Sequence, residues 1–440
     1  CASSTNAVTC NRVTLRKCHH DSGTVPTAFA AHGNYQIGGY ASVGEFLIDD
    51  CYGANAADPG IEVNNFVSGT IRGCEIVDAW NAGIFACNFT ATPGKQILRV
   101  KDCLTRKTNL AFANTTAHGI QLGGNTAENK IGTVIVDGCE HINTSQSLVY
   151  GDAFYSYASH PTGGYERVVL RDCKAYISGF NQDITGASLY AFAYVVGAPS
   201  GTTLICEIDG LYAEYNITRG AGSTQSLFYG TLVYEAVGLA TIINRVRNIS
   251  GSCTQANEVA TSCQMGLTNL TSATAITHRG YMRGLGPIFG TAAGRIGVRL
   301  QSGQTYSHLD IEECELGNAV AGSEFSFATA TDKGLVHLRG NRYATTPAPT
   351  GFTGLVTATG KRLDTGWDAL AVFIQGSGAG ITSIDFSTDG GTTYTNLDTQ
   401  AAGALPSGYD DAVGPLTSDA LIKVTFATTQ PTITLVPVNP

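Results

Sequence analysis

Val134-Ile135-Val136-Asp137-Gly138-Cys139 and Val168-Val169-Leu170-Arg171-Asp172-Cys173 are one pattern written twice. An aliphatic residue is followed by a charged one, a turn-former and a cysteine. Four further copies carry the cysteine: Leu15-Arg16-Lys17-Cys18, Ile48-Asp49-Asp50-Cys51, Ile71-Arg72-Gly73-Cys74 and Val100-Lys101-Asp102-Cys103. Five more align behind them: Ile208-Asp209-Gly210-Leu211, Val246-Arg247-Asn248-Ile249, Met282-Arg283-Gly284-Leu285, Ile311-Glu312-Glu313-Cys314 and Leu338-Arg339-Gly340-Asn341. The fourth position advances by 23 to 38 residues from copy to copy. A fixed four-residue core at irregular spacing is the signature of a solenoid with variable loops.

Each slot has a physical reading. The first is apolar in all eleven copies, and the residue two before it is apolar in most (Val13, Phe46, Leu98, Val134, Val168, Cys206, Leu309, Val336). That is the period-two pattern of a strand with one buried face. The second slot is charged in all eleven, in a chain only 14% charged, so it faces water. The third holds Gly five times, Asp three times and Asn once, residues that tolerate a left-handed backbone at a sharp bend. The fourth turns back inward and prefers a small, buryable side chain. Strand, bend, strand, repeated, predicts an all-β chain: a right-handed single-stranded parallel β-helix of about 11 rungs over residues 1–343. At about 4.8 Å per rung the rod is on the order of 50 Å long. Stacked second slots form a ladder mostly of alternating charge, which reads as solvated rung-to-rung pairing worth little per pair.

Ala344-Thr345-Thr346-Pro347-Ala348-Pro349-Thr350-Gly351 has the composition of a linker, placed at 344–353. Short alternating runs follow at Ala369 to Ile374, Ile381 to Phe386, Leu421 to Phe426 and Thr432 to Val436. They predict a small antiparallel β-sandwich at 354–440, serving as cap, oligomerisation element or glycan binder. Ser387-Thr388-Asp389-Gly390-Gly391-Thr392-Thr393-Tyr394 resembles an Asp-box hairpin with Tyr394 where tryptophan is usual; sialidases carry several such hairpins and this chain has one, so it reads as a plain hairpin turn.

A net charge of −9 argues against non-specific nucleic-acid binding, and no apolar stretch is long enough for membrane insertion. Of 13 cysteines, six stack in one expected column. In-register neighbours hold their Cβ atoms about 4.8 Å apart, too far for a relaxed disulfide, no CxxC pair occurs and the column offers no tetrahedral metal site. Free thiols packed as small hydrophobes are expected, suiting a reducing cytoplasm, while Cys1, Cys10, Cys87, Cys253 and Cys263 retain the option of pairing. No cofactor is implied. The pattern is already in a rung by residue 13, so an upstream segment is expected.

The copies ending between Cys103 and Leu285 are the longest, and extra length in a solenoid goes into loops, often on the binding side. From Tyr150 to Tyr234 fifteen of 85 residues are Phe or Tyr, double the chain average of 9%. Tyrosine offers a flat apolar face and a polar tip, which suits stacking on sugar rings. Tyr155, Tyr157, Tyr190, Tyr194 and Tyr229 are therefore candidate glycan-binding residues, the alternative being that alternate members fill a wide rung. Glycosidic cleavage needs paired carboxylates or a base beside a uronate. Asp152, inside an aromatic cluster where burial raises a carboxyl pKa, and Asp183 are the candidate catalytic residues; Glu166, Glu214, Glu235 and His160 lie on the same long rungs. His118-Gly119 resembles the His-Gly of polygalacturonases, but the paired-Asp and Arg-Ile-Lys motifs of that family have no match, and none of its residues are carried over.

The rung pattern, the C-terminal β segment and the low charge together resemble bacteriophage tailspike or tail-fibre proteins of the pectin-lyase-like β-helix class, across about residues 13–343. The resemblance implies a virion tail protein assembled in host cytoplasm. It further implies a homotrimer that binds host surface polysaccharide, with or without cleaving it, and contacts other virion proteins through an upstream segment. A secreted polysaccharide lyase or hydrolase, and a purely structural or adhesive surface filament, remain the alternatives.

Overall fold

The computed structural model describes residues 10–24, 33–38, 43–87, 96–108, 118–123, 132–144, 154–156, 166–178, 189–190, 193–196, 203–218, 227–235, 241–256, 261–267, 277–286, 296–300, 305–316, 325–327, 336–339 and 342–343, with seven further strands between 356 and 438. Among these residues every regular element is a strand.

All eleven copies lie in one parallel ladder. The strands carrying the first two slots are Cys10–Arg16, Val43–Asp49, Phe66–Arg72, Ile97–Lys101, Thr133–Asp137, Arg167–Arg171, Thr203–Thr218, Thr241–Ala256, Thr277–Leu285, Thr305–Glu312 and Val336–Arg339. Each pairs with the next, and the register sets second slot beside second slot throughout, from Arg16 and Asp49 to Glu312 and Arg339. Period-two sidedness follows from this register: slipping one strand by a residue would turn its aliphatic set outward. First-slot residues from Ile48 to Ile311 are accordingly buried, each contributing about 1.5–3 kcal/mol relative to exposure.

After the bend the chain continues as a second parallel series, His19–Asp21, Tyr52–Ala54, Glu75–Val77, Leu104–Lys107, Glu140–Asn143 and Lys174–Ser178, which merges into the long strand Thr203–Thr218. Both series belong to a 17-stranded sheet. A second, 11-stranded parallel sheet contains Tyr35–Ile37, Ile61–Asn64, Ala82–Cys87, His118–Leu122, Phe154–Ser156, Leu189–Tyr190, Ala193–Val196, Leu227–Glu235, Thr261–Leu267, Ile296–Leu300 and Phe325–Phe327. Chain order alternates between the two sheets, as a parallel β-helix requires. Their inner faces share one interior, since Ile120 and Phe154 of the second sheet line a cavity with Cys139 and Cys173 of the first.

The bend is the conformational key. All ten third-slot residues described, from Lys17 to Glu313, have φ between 48° and 71°. Non-glycine residues pay about 1–2 kcal/mol there, yet Lys17, Asp50, Asp102, Asp172, Asn248 and Glu313 accept it. The N–H of that residue joins its rung to the next, as in Lys17 N–H to the Asp49 carbonyl at 2.9 Å and Gly138 N–H to the Arg171 carbonyl at 3.0 Å.

The cysteines stack as expected, and the geometry adds a reason for the residue type. Each thiol donates to the carbonyl two residues back: Cys18 to Arg16 at 3.5 Å, Cys103 to Lys101 at 3.3 Å, Cys173 to Arg171 at 3.1 Å and Cys314 to Glu312 at 3.2 Å. For Lys101 and Arg171 that carbonyl also accepts the third-slot N–H of the preceding rung, so the weak S–H donor engages a remaining lone pair. All ten described cysteines are free, Cys10 and Cys87 among them; Cys1, Cys253 and Cys263 lie outside the residues whose side chains are described.

Near the C-terminus the pairing turns antiparallel. Val356–Ala358, Leu421–Phe426, Ile381–Ser387 and Thr395–Thr399 form a four-stranded sheet, and Tyr409–Val413, Ala369–Gln375 and Thr432–Val438 a three-stranded one. Ile381–Ser387 and Thr395–Thr399 pair antiparallel, as the arms of a hairpin do; the intervening Asp-box-like residues 388–394 lie outside the described residues.

Candidate functional site

The second sheet carries the candidate glycan-binding tyrosines that lie among the described residues. Tyr155 pairs in register with Tyr194 on the neighbouring strand, and Tyr190 pairs with Tyr229. Four of the five candidates thus come from three stretches of sequence to one sheet, in two side-by-side pairs. The column holding Tyr155 and Tyr194 continues through Gln121, Phe85 and Glu62 to Gln36. Gln121, Phe85 and Glu62 are half-buried, whereas Ile120 and Phe154, one residue away, are buried. Phe154 is therefore one aromatic of the cluster that fills the rung. Tyr157, Asp152, Asp183 and His160 lie outside the described residues.

The described carboxylates show how acid–base chemistry stands. Glu166 is exposed, and Glu214 is exposed and accepts a hydrogen bond from the Tyr212 hydroxyl. Every described carboxylate with a clearly displaced proton affinity is displaced downward. Hydrogen bonds from the Gly23 N–H and Asn55 lower Asp21, and Arg72 lowers Asp49. Burial raises Glu207 and Asp209, but arginines outweigh it: Arg167 and Arg245 on Glu207, and Arg247, with Asn248, on Asp209. A general acid working near neutrality needs the opposite displacement. Among the described residues no group of three or more His, Cys, Asp or Glu side chains is arranged to hold a metal ion.

A buried polar cluster inside rungs three to five is the feature that reading the repeats missed. Thr105 and Lys107 follow Cys103 at the inward positions two and four residues on, and His141 and Asn143 follow Cys139 in the same way. The register sets Thr105 beside His141 and Lys107 beside Asn143. Thr105 Oγ1 and His141 Nδ1 are hydrogen-bonded at 2.8 Å. The Lys107 ammonium donates to the Ala79 carbonyl and to the Asn81 carbonyl at 3.3 Å. Asp78 accepts from the Thr108 N–H at 2.6 Å and from its hydroxyl at 3.0 Å. Burial, partly offset by the Asp78 charge, lowers Lys107 to about 7. Burial, then the Lys107 charge, lowers His118 and His141 to about 3. His118 is buried in the second sheet, away from any external substrate. Beside the cluster, a cavity of about 20 Å³ lies among His141, Thr105, Cys139, Cys173 and Phe154, room for about one water molecule.

No protein-family model matches the sequence, and a search of the curated proteins finds no match.

Proposed function

We propose that the chain is a receptor-binding rod of the tailspike or tail-fibre kind, which recognises host surface polysaccharide through the tyrosine-bearing side of its second sheet. In this reading the two sheets coil as a right-handed β-helix of eleven rungs, the hand followed by nearly all parallel crossovers. The antiparallel strands near the C-terminus form the sandwich that caps or trimerises it, giving a homotrimer on the virion tail. The observation that carries the reading is the register, which sets Tyr155 beside Tyr194 and Tyr190 beside Tyr229. Neighbouring strands lie about 4.8 Å apart, so the two positions of each pair are close enough to serve one glycan.

Recognition is proposed with or without cleavage: the carboxylates held low, Asp21, Asp49, Glu207 and Asp209, are not suited to act as general acids. Asp152 and Asp183 are the residues on which cleavage is to be tested. The full chain is incubated with a panel of bacterial surface polysaccharides, and bound glycan, new reducing ends and unsaturated uronates are measured. Binding lost in Tyr155→Ala and Tyr194→Ala supports the reading; equal binding by both variants and the parent sinks it. Product formation abolished by Asp152→Asn or Asp183→Asn would convert the binder into a depolymerase.

A further inference from the structure

Three bases share one stretch of the interior. His118, His141 and Lys107 are buried, on the strands His118–Leu122, Glu140–Asn143 and Leu104–Lys107 of the two sheets. In register, His141 lies between Thr105 and Ala175, and His118 beside Ala82, so no described carboxylate neighbours either imidazole along the ladders. Arg106, Glu140 and Lys174 share the strands around His141 but alternate with its inward positions, and so face outward. Asp78, the one buried carboxylate among the described residues, acts on Lys107 and accepts from Thr108. Burial, then like charge, resists protonation of both imidazoles: Lys107 acts on each, and His141 on His118.

His141 is poorly placed to carry a second proton. Its Nδ1 is hydrogen-bonded to Thr105 Oγ1 at 2.8 Å, and its Nε2 is buried with no hydrogen-bond partner among the described residues. An imidazolium donates from both nitrogens, so protonation demands an acceptor at Nε2. Water is the acceptor that can reach it, because His141 lines the cavity of about 20 Å³ together with Cys139 and Cys173. That volume takes about one water molecule, whereas a buried cation beside the Lys107 ammonium demands far more solvation than one molecule supplies. The ladders are therefore easiest to part here, and the two thiols are among the first groups that entering solvent meets. The sign is fixed by proton binding: with His141 lowered from 6.5 to about 3, the closed form loses ground as pH falls below 6.5.

We propose that the interior around His141 is an acid-operated opening, in which protonation admits water between the two sheets and lays Cys139 and Cys173 open to solvent while the rest of the ladder stays closed. Local opening of this kind is a separate event from global unfolding, and it is independent of the glycan reading. The full chain is treated with 4,4′-dithiodipyridine at pH 7 and pH 4.5, and the labelling rate of each cysteine is read by peptide mass spectrometry. Rates are taken relative to Cys51 and Cys314, buried free thiols of the same column away from the cavity, which removes the general effect of pH on thiol reactivity. At pH 4.5, about two units below the ordinary imidazole value, one restored imidazole favours the open form by about a hundredfold. Cys139 and Cys173 are accordingly expected to gain at least about tenfold over the two reference thiols. His141→Gln, which can still bond Thr105 but does not titrate, lowers that gain at least about threefold, while His19→Gln, at an exposed ring, leaves it within about twofold. No gain in the parent, an equal gain at Cys51 and Cys314, or a full gain in His141→Gln overturns the assignment. The comparison across cysteines in the parent stands by itself, whether or not His141→Gln folds.

Discussion

Lys107→Met tests whether the interior amine is as desolvated as its surroundings imply. Lys107 is fully buried, and burial lowers its proton affinity from 10.5 to about 7. At 1.36 kcal/mol per pH unit, those roughly 3.5 units amount to about 5 kcal/mol. The sign follows from proton binding. Between pH 7 and 10.5 the unfolded chain holds a proton on Lys107 that the folded chain has released, so stability rises with pH across that window. Above 10.5 both states are neutral and the penalty is absent; below 7 both are charged and the penalty is full. Methionine removes the penalty but takes the ammonium donor away from the carbonyls of Ala79 and Asn81, at about 1–3 kcal/mol in all. Near pH 6.5 the two effects roughly cancel or favour the variant, while at pH 10 little of the penalty is left, the lost hydrogen bonds dominate and the variant is the weaker. Urea unfolding of both proteins from pH 6 to 10 reads this directly: the parent midpoint climbs, and the stability difference between the two shifts by several kcal/mol. Parallel pH curves would show that the amine keeps its proton in the folded state and refute the reasoning.

Acid acts in the same way on the two interior imidazoles. His118 and His141, lowered from 6.5 to about 3 by burial, contribute stability that is full above pH 6.5 and drains as pH falls toward 3; at pH 5 the loss is roughly 2 kcal/mol for each, about 4 in all, visible as a falling melting temperature that His141→Gln halves in slope. Gly69 lies under the Phe46 ring, so that a Cβ there would fall inside it, and Phe46 is pinned edge-on against Phe66. Gly69→Ala is therefore expected to cost about 1–3 kcal/mol, partly recovered by Phe46→Leu; a neutral Gly69→Ala would mean the ring is free to move. Glu207, 15% exposed, sits among Arg167, Arg171 and Arg245, so Glu207→Gln should cost clearly more in chemical denaturation than Glu45→Gln. Glu45 is 58% exposed and pairs only loosely with Arg12 at 3.8 Å, a contact worth well under 1 kcal/mol.

What the repeat could reveal was anything repeated at fixed distance from the cysteine. Slot-two charges such as Arg16, Asp49 and Arg72 stand in one column because four consecutive residues fix both sidedness and bend, and the left-handed φ of Asp50, Gly138 and Asn248 follows from the same positions. Strands at Ala369–Gln375, Ile381–Ser387, Leu421–Phe426 and Thr432–Val438 were legible from alternation alone. The polar interior was legible in principle: counting two and four residues beyond Cys103 and Cys139 arrives at Thr105, Lys107, His141 and Asn143. That Lys107 reaches back to Ala79 and Asn81 was not, because loops of unequal length separate those stretches and set no phase between them. The same variable loops hid which tyrosines meet. Tyr155 and Tyr194 are 39 residues apart, Tyr190 and Tyr229 likewise, and only the pairing of the second sheet makes them neighbours.

The column of sulfhydryls has a consequence for where the molecule can work. Cys51, Cys74, Cys103, Cys139 and Cys173 are buried, free and held by main-chain oxygens, and in-register Cβ atoms about 4.8 Å apart lie just beyond the spacing of a relaxed disulfide. A bridge between neighbours would have to strain the ladder, and a reducing medium finds none there to open. With every thiol of the column free, cohesion along it comes from packing and hydrogen bonding rather than from crosslinks.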